Sequence, residues 1–139
     1  MYLIDTNVIS EIRKGDKANS GVRQFFADVA QNDDKLYISV VTIGELRRGV
    51  DLIYHRGDFG QGTLLENWLN QLMQEYRHHV LLIYTDIALV WGKMRVPNPQ
   101  HPLDKLIAAT ALIYDLTVVT RNVSDFAGTG TRVLNPFTD

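Results

Sequence analysis

Four short runs of β-branched and aromatic residues, YLI at 2–4, LYISVV at 36–41, VLLIY at 80–84 and TVVT at 117–120, are separated by stretches in which apolar residues recur every three or four positions. Runs of this length and composition read as buried strands. Between them, Leu65, Leu69, Leu72 and Tyr76 form one helical stripe within 62–79, and Ile43, Leu46, Val50 and Tyr54 form another. The segment LDKLIAATALIY at 103–114 is apolar nearly all round and carries three alanines, the pattern of a helix packed on several sides. Shorter helices fit 7–14, 20–31 and 86–95, while GDFGQG at 57–62 and PNPQHP at 97–102 read as loops. Strands alternating with helices predict an α/β fold whose mostly parallel sheet is covered on both faces.

With 139 residues the chain can bury an ordinary core. No repeat or linker divides it, so one domain over 1–139 is expected. The absence of cysteine excludes disulfides and thiolate metal ligands. No apolar run is long enough to span a membrane and the N-terminus does not read as a signal peptide, so a cytosolic location is expected. The net charge of −2 does not announce a nucleic-acid binder. Local basic groups nevertheless occur at Arg13, Lys14, Arg47, Arg48, Lys93 and Arg121, where they are candidate phosphate contacts or solvated helix faces.

The informative pattern lies in the carboxylates. Asp5 ends the first strand, Glu45 follows the second, Asp104 opens the apolar helix, and Asp125 follows the TVVT strand. Strand carboxyl ends and helix amino ends share the edge of an open α/β sheet at which ligands bind. Two ionised carboxylates about 4 Å apart repel by roughly 4 kcal/mol at an effective dielectric near 20, so such a group must take up protons or a cation. Oxygen-only donors favour Mg²⁺ or Mn²⁺, an ion able to activate water against a phosphodiester. Each carboxylate also has an ordinary structural explanation. Glu45 closes a capping-box pattern with Thr42, Asp5 and Asp104 suit helix amino ends, and Asp125 suits a turn. Asp86 also follows a strand and opens a helix, so position alone over-selects. The four histidines, His55, His78, His79 and His101, show no useful spacing to a carboxylate and are expected at the surface.

Four stretches carry a family resemblance: LIDTNVISE at 3–11, ISVVTIGELRRGV at 38–50, DKLIAATALIYDLTVVTRNVSDF at 104–126 and VLNPF at 133–137. In this order they resemble PIN domains, and among these the VapC toxins of bacterial toxin–antitoxin pairs. The resemblance implies a three-layer α/β/α fold around a five-stranded parallel sheet with the first strand central, the fifth strand falling at 132–134. It places the acidic site on Asp5, Glu45 and Asp104, with Asp125 as the fourth position. It puts the strand before Asp86 at the sheet edge, leaving Asp86 as a helix cap. Thr6, Asn7, Thr120 and Asn122 match the polar positions that orient such a site.

The activity implied is that of a Mg²⁺- or Mn²⁺-dependent endoribonuclease toxin that inhibits translation and growth. A metal-activated water would cleave structured RNA, with a transfer-RNA loop as first expectation, leaving a 5′-phosphate and a 3′-hydroxyl. The partners implied are a VapB-like antitoxin, a second copy in a homodimer or a dimer of heterodimers, and operator DNA reached through the antitoxin. Leu46, Val50, Ile53 and Tyr54 are candidate contacts for the antitoxin. A non-catalytic module serving only as a DNA-bound repressor is the rival reading. An aspartyl phosphotransferase fits less well, because it would want an aspartate where Asn7 stands.

Overall fold

The computed structural model describes residues 1–139. Strand β1 (Tyr2–Ile4) lies at the centre of a five-stranded sheet with β2 (Leu36–Ser39), β3 (Val80–Leu81), β4 (Thr117–Val119) and β5 (Val133–Leu134). The order is β3-β2-β1-β4-β5 and every pairing is parallel. Helices α1 (Thr6–Ile12), α2 (Ser20–Asn32), α3 (Val40–His55), α4 (Phe59–Glu75), α5 (Thr85–Met94) and α6 (Pro102–Tyr114) fill the connections.

Successive strand side chains point to opposite faces, and that alternation divides the core. Ile4 and Val119 join Val8, Ile9, Val22, Ile38, Leu46 and Leu69 on the face covered by the first four helices. Leu3 and Val118 join Ile107, Ala108, Ala111 and Phe126 on the α6 face. Helix α6 meets the sheet with small side chains, Ala108 and Ala111 among them, and α5 packs against α6. The result is the three-layer α/β/α arrangement expected, with β1 central and β3 at one edge.

Several boundaries differ from those read in the sequence. The run at 36–41 stays extended only to Ser39, whose Oγ accepts a hydrogen bond from the Val41 amide at 3.1 Å and caps α3 from Val40 onward. One hydroxyl thus overrides the β preference of the two valines. Helix α4 begins within the predicted loop, because Asp58 caps it by accepting from the Gln61 amide at 3.1 Å. It ends at Glu75, before His78 and His79. Of VLLIY, only Val80 and Leu81 join the ladder. No helix is long and apolar enough to cross a membrane.

Candidate metal centre

Asp5 stands where β1 becomes α1. Its amide still donates to the Val119 carbonyl at 2.9 Å, while its own carbonyl accepts from Val8 and Ile9 and starts the helix. The residue is 4% exposed and both of its carboxylate oxygens accept hydrogen bonds. One oxygen accepts from the Thr6 amide at 2.8 Å; the other accepts from Thr120 Oγ1 at 2.8 Å and from Asn7 Nδ2 at 3.3 Å. Burial nevertheless pushes its pKa up, outweighing those three donors, and the charge on Asp125 adds to the push. Asp5 therefore answers to both readings of its position. It begins a helix, and it holds a buried charge among other acids.

Glu45 comes to the same place by a different register from the one expected. Since α3 starts at Val40, Thr42 already lies within the helix and Glu45 is its sixth residue, so no capping box forms. Glu45 Oε1 accepts from Thr6 Oγ1 at 2.7 Å instead. Asp104 sits in the first turn of α6, and Asp125 in a short 3-10 turn, Val123–Phe126, anchored by the buried Phe126. The Asp104 pKa is pushed up to about 6, first by burial, then by the charges of Asp5 and Asp125, with a smaller push from Glu45 and a partial offset from His101. The four sequence-distant carboxylates thus act on one another. Asp86 does not belong to them: it is exposed at the start of α5 and accepts from the Ile87 amide at 2.8 Å.

The polar residues around these acids form one connected set. Asn7 Nδ2 also donates to Thr120 Oγ1 at 3.2 Å, and Asn7 Oδ1 accepts from the Arg121 amide at 3.0 Å, which fixes the orientation of the side-chain amide. Asn122 contributes through its backbone, whose N–H donates to Thr120 Oγ1 at 3.0 Å; its side chain is exposed. Thr120 therefore ties the end of β4 to the end of β1.

His101 corrects the expectation that no histidine pairs with a carboxylate. Its Nδ1 lies 3.9 Å from Asp104 Oδ2 and its Nε2 lies 3.8 Å from Asp125 Oδ1, although half of the side chain remains exposed. The i, i+3 spacing to Asp104 was the sequence signal. The loop pattern of 97–102 hides it, because α6 begins within that stretch at Pro102. One donor atom from each of His101, Asp104 and Asp125 lies within 4.8 Å of the other two.

The basic candidates separate by surroundings. Lys14 pairs with Glu11 at 2.9 Å. Arg47 is held by Asp51 at 2.8 Å and by Glu66, so its charge is compensated between α3 and α4. Arg13 lies over the Trp68 ring at 6.0 Å and Arg121 over the Phe137 ring at 4.8 Å, both exposed. Arg48 and Lys93 are exposed on α3 and α5. From Glu45 a groove runs past Leu46, Val50 and Ile53 to Leu65 and Trp68, with Arg13 on its rim. Tyr54 is not part of it. Its ring packs on Gly62 and its hydroxyl donates to Glu66 at 3.1 Å.

The donor set suits a hard divalent cation. It offers several carboxylate oxygens at one edge, and no lysine or arginine ion-pairs with Asp5, Glu45, Asp104 or Asp125.

Comparison with known proteins shows the family of the fold. The plasmid stability protein StbB of Pseudomonas syringae pv. tomato is 32% identical, over 99% of both chains. The toxin FitB of Neisseria gonorrhoeae is 30% identical over the whole of both chains, and a VapC ribonuclease of Sinorhizobium fredii is 27% identical over 99% of this chain and 98% of its own. A solved FitAB complex bound to a DNA fragment superimposes with a TM-score of 0.84 at 28% identity, covering 100% of this chain and 97% of that one. Residues 2–129 match the model of the PIN domain family. With its sheet order, its edge of acids and these relatives all in agreement, the chain belongs to the PIN domain family.

Proposed function

We propose that this chain is a Mg²⁺- or Mn²⁺-dependent endoribonuclease and the toxin of a toxin–antitoxin pair, acting in the cytoplasm. The observation that carries this reading is that Asp5, Asp125 and Glu45 all act on Asp104 with no lysine or arginine paired to any of them, so that burial first and these charges second raise the Asp104 pKa to about 6. Carboxylates forced together at such a cost in repulsion suit a cation that removes it. Asp5, Glu45, Asp104 and Asp125 would hold the ion, directly or through water. Bound there, such an ion would supply Lewis acidity toward a phosphodiester and an attacking water.

The chain's own groups do the positioning. Thr120 and Asn7 keep Asp5 in one orientation through their hydrogen bonds, and Thr6 does the same for Glu45. Arg13, Arg48, Lys93 and Arg121 supply phosphate contacts; Arg47 and Lys14 contribute less, because Glu66 with Asp51 and Glu11 already pair with them. The substrate is structured RNA, with a transfer-RNA loop first in line, since unstacked bases are what proteins read in RNA.

The names of the relatives support the same assignment, and a VapB-like antitoxin fits the groove between α3 and α4 beside Glu45. An antitoxin arginine reaching the four carboxylates would compete with the cation for them. A homodimer, or a dimer of toxin–antitoxin heterodimers, then meets operator DNA through the antitoxin. The FitAB complex on DNA also favours a second reading, in which DNA-bound repression is the whole function. Purified chain incubated with a transfer-RNA panel separates the two. The nuclease reading expects cuts at discrete sites with Mg²⁺ or Mn²⁺, none with EDTA and none with Asp5→Asn. Intact RNA under every metal condition would leave repression alone.

A further inference from the structure

The backbone of His101 opens α6, but its side chain does not serve that helix. It precedes α6 with φ 55° and ψ 54°, the left-handed region that side-chain-bearing residues seldom adopt, and it does so ahead of Pro102, where extended backbone is preferred. Its side chain makes no capping hydrogen bond to the helix it begins. The loop is pinned on both sides instead. Trp91 Nε1 donates to the Pro102 carbonyl at 2.8 Å, the Lys105 ammonium donates to the Asn98 carbonyl, and the His101 carbonyl accepts from the Lys105 amide at 3.0 Å. The consequence of this unusual backbone is that the imidazole stands between Asp104 and Asp125, one nitrogen facing each.

Donor atoms about 2.1 Å from a common ion lie at most about 4.2 Å from one another. The His101, Asp104 and Asp125 donors already lie within 4.8 Å, so a small side-chain rotation closes the set. Carboxylates alone accept Mg²⁺ and Mn²⁺ readily, whereas an imidazole nitrogen suits transition ions and adds little for Mg²⁺. We propose that His101 is a nitrogen ligand at the carboxylate centre and that it sets the metal preference of this chain toward Mn²⁺ over Mg²⁺.

This inference rests on the metal-centre reading of the four acids and can fail without it. The test uses the full chain and His101→Asn, since asparagine tolerates the left-handed backbone while removing the imidazole. Each is titrated calorimetrically with MnCl₂ and, separately, with MgCl₂. Pulsed electron paramagnetic resonance of the chain loaded with one equivalent of Mn²⁺ then looks for nitrogen coupling to the ion, in samples with ¹⁵N-labelled and unlabelled histidine. Expected are a nitrogen coupling that follows the histidine label in the wild type, its loss in His101→Asn, a Mn²⁺ affinity about tenfold lower in the variant, and a Mg²⁺ affinity changed by less than about twofold. Tight Mn²⁺ binding with no histidine nitrogen coupling, or equal losses for both ions, would overturn the role of His101 and leave the carboxylate centre standing. No binding of either ion to the wild type would remove both. The spectrum of the wild type decides the matter even if the variant folds poorly.

Discussion

Replacing Asp104 by asparagine keeps the side-chain shape and deletes one charge from the acidic edge, so it exposes how much repulsion the metal-free protein carries. Burial and the charges of Asp5 and Asp125 raise the Asp104 pKa to about 6, against about 3.9 for an unfolded aspartate. A displacement of about two pH units corresponds to at most about 3 kcal/mol. The side chain is 24% exposed, and solvent screening reduces the figure to about 1–2 kcal/mol. Loss of the favourable interaction with the α6 amino end takes back about 0.3–1 kcal/mol. The net expectation is a stabilisation of about 1 kcal/mol, or roughly 3–5 °C in Tm for a chain of this size. Because the folded pKa lies above the unfolded one, the folded state keeps the proton longer. The penalty is therefore absent below about pH 4, grows between about 4 and 6, and is complete above that. Thermal denaturation in EDTA from pH 4 to pH 8 should show Asp104→Asn and wild type melting together at the acid end and the variant melting higher above pH 6. In Mn²⁺ at 100 times Kd the wild type gains about 2.7 kcal/mol, and the order reverses. A variant that melts no higher than wild type in EDTA at pH 7.5, or by the same margin at pH 4, would refute the reasoning.

Other outcomes follow from single contacts. Thr120→Val removes the 2.8 Å donor to Asp5 and the acceptor for the Asn122 amide; it should cost about 1–3 kcal/mol in denaturant unfolding and lower Mn²⁺ affinity about 10–100-fold, with Thr120→Ser retaining both. Arg47→Met breaks an exposed set of ion pairs between α3 and α4, so it should lower the thermal midpoint only slightly, and by less in 1 M salt. In Gly21→Ala the new Cβ would meet the Pro136 carbonyl oxygen at 2.2 Å and the Thr138 amide nitrogen at 2.9 Å. The C-terminal segment must then leave Asn19, whose Oδ1 accepts from the Thr138 amide at 3.0 Å; faster proteolysis at the C-terminus and a loss of about 1–3 kcal/mol should result.

What the amino-acid order disclosed, and what it hid, has physical causes. Leu3 and Ile4 face opposite cores, so even a three-residue strand declared itself through composition, and Asp5 was legible as the first polar residue after it. Asp104 and Asp125 were legible because their elements are bounded by strong apolar runs. Glu45 pairs with Thr6 rather than closing a capping box with Thr42, since two β-branched valines look extended until Ser39 caps the helix they enter. Gly60 and Gly62 suggested a loop. Phe59 to Gln61 are instead helical, and at Gly62, where the helical stripe begins, the Tyr54 ring leaves a Cβ only 2.7 Å of room, a tertiary constraint that local pattern does not carry. His101 was missed for a related reason, because its relation to Asp104 is a helical spacing only once α6 is known to begin at Pro102.

The central claim is that the acids gathered at the carboxyl edge of the sheet cut RNA. It is tested most directly by inducing wild type and Asp5→Asn at matched levels in bacterial cells and mapping RNA 5′ ends. The account predicts arrested growth and new 5′-phosphate ends at one site in a small class of structured RNAs with the wild type, and neither with the variant. Equal growth and identical end maps would contradict it.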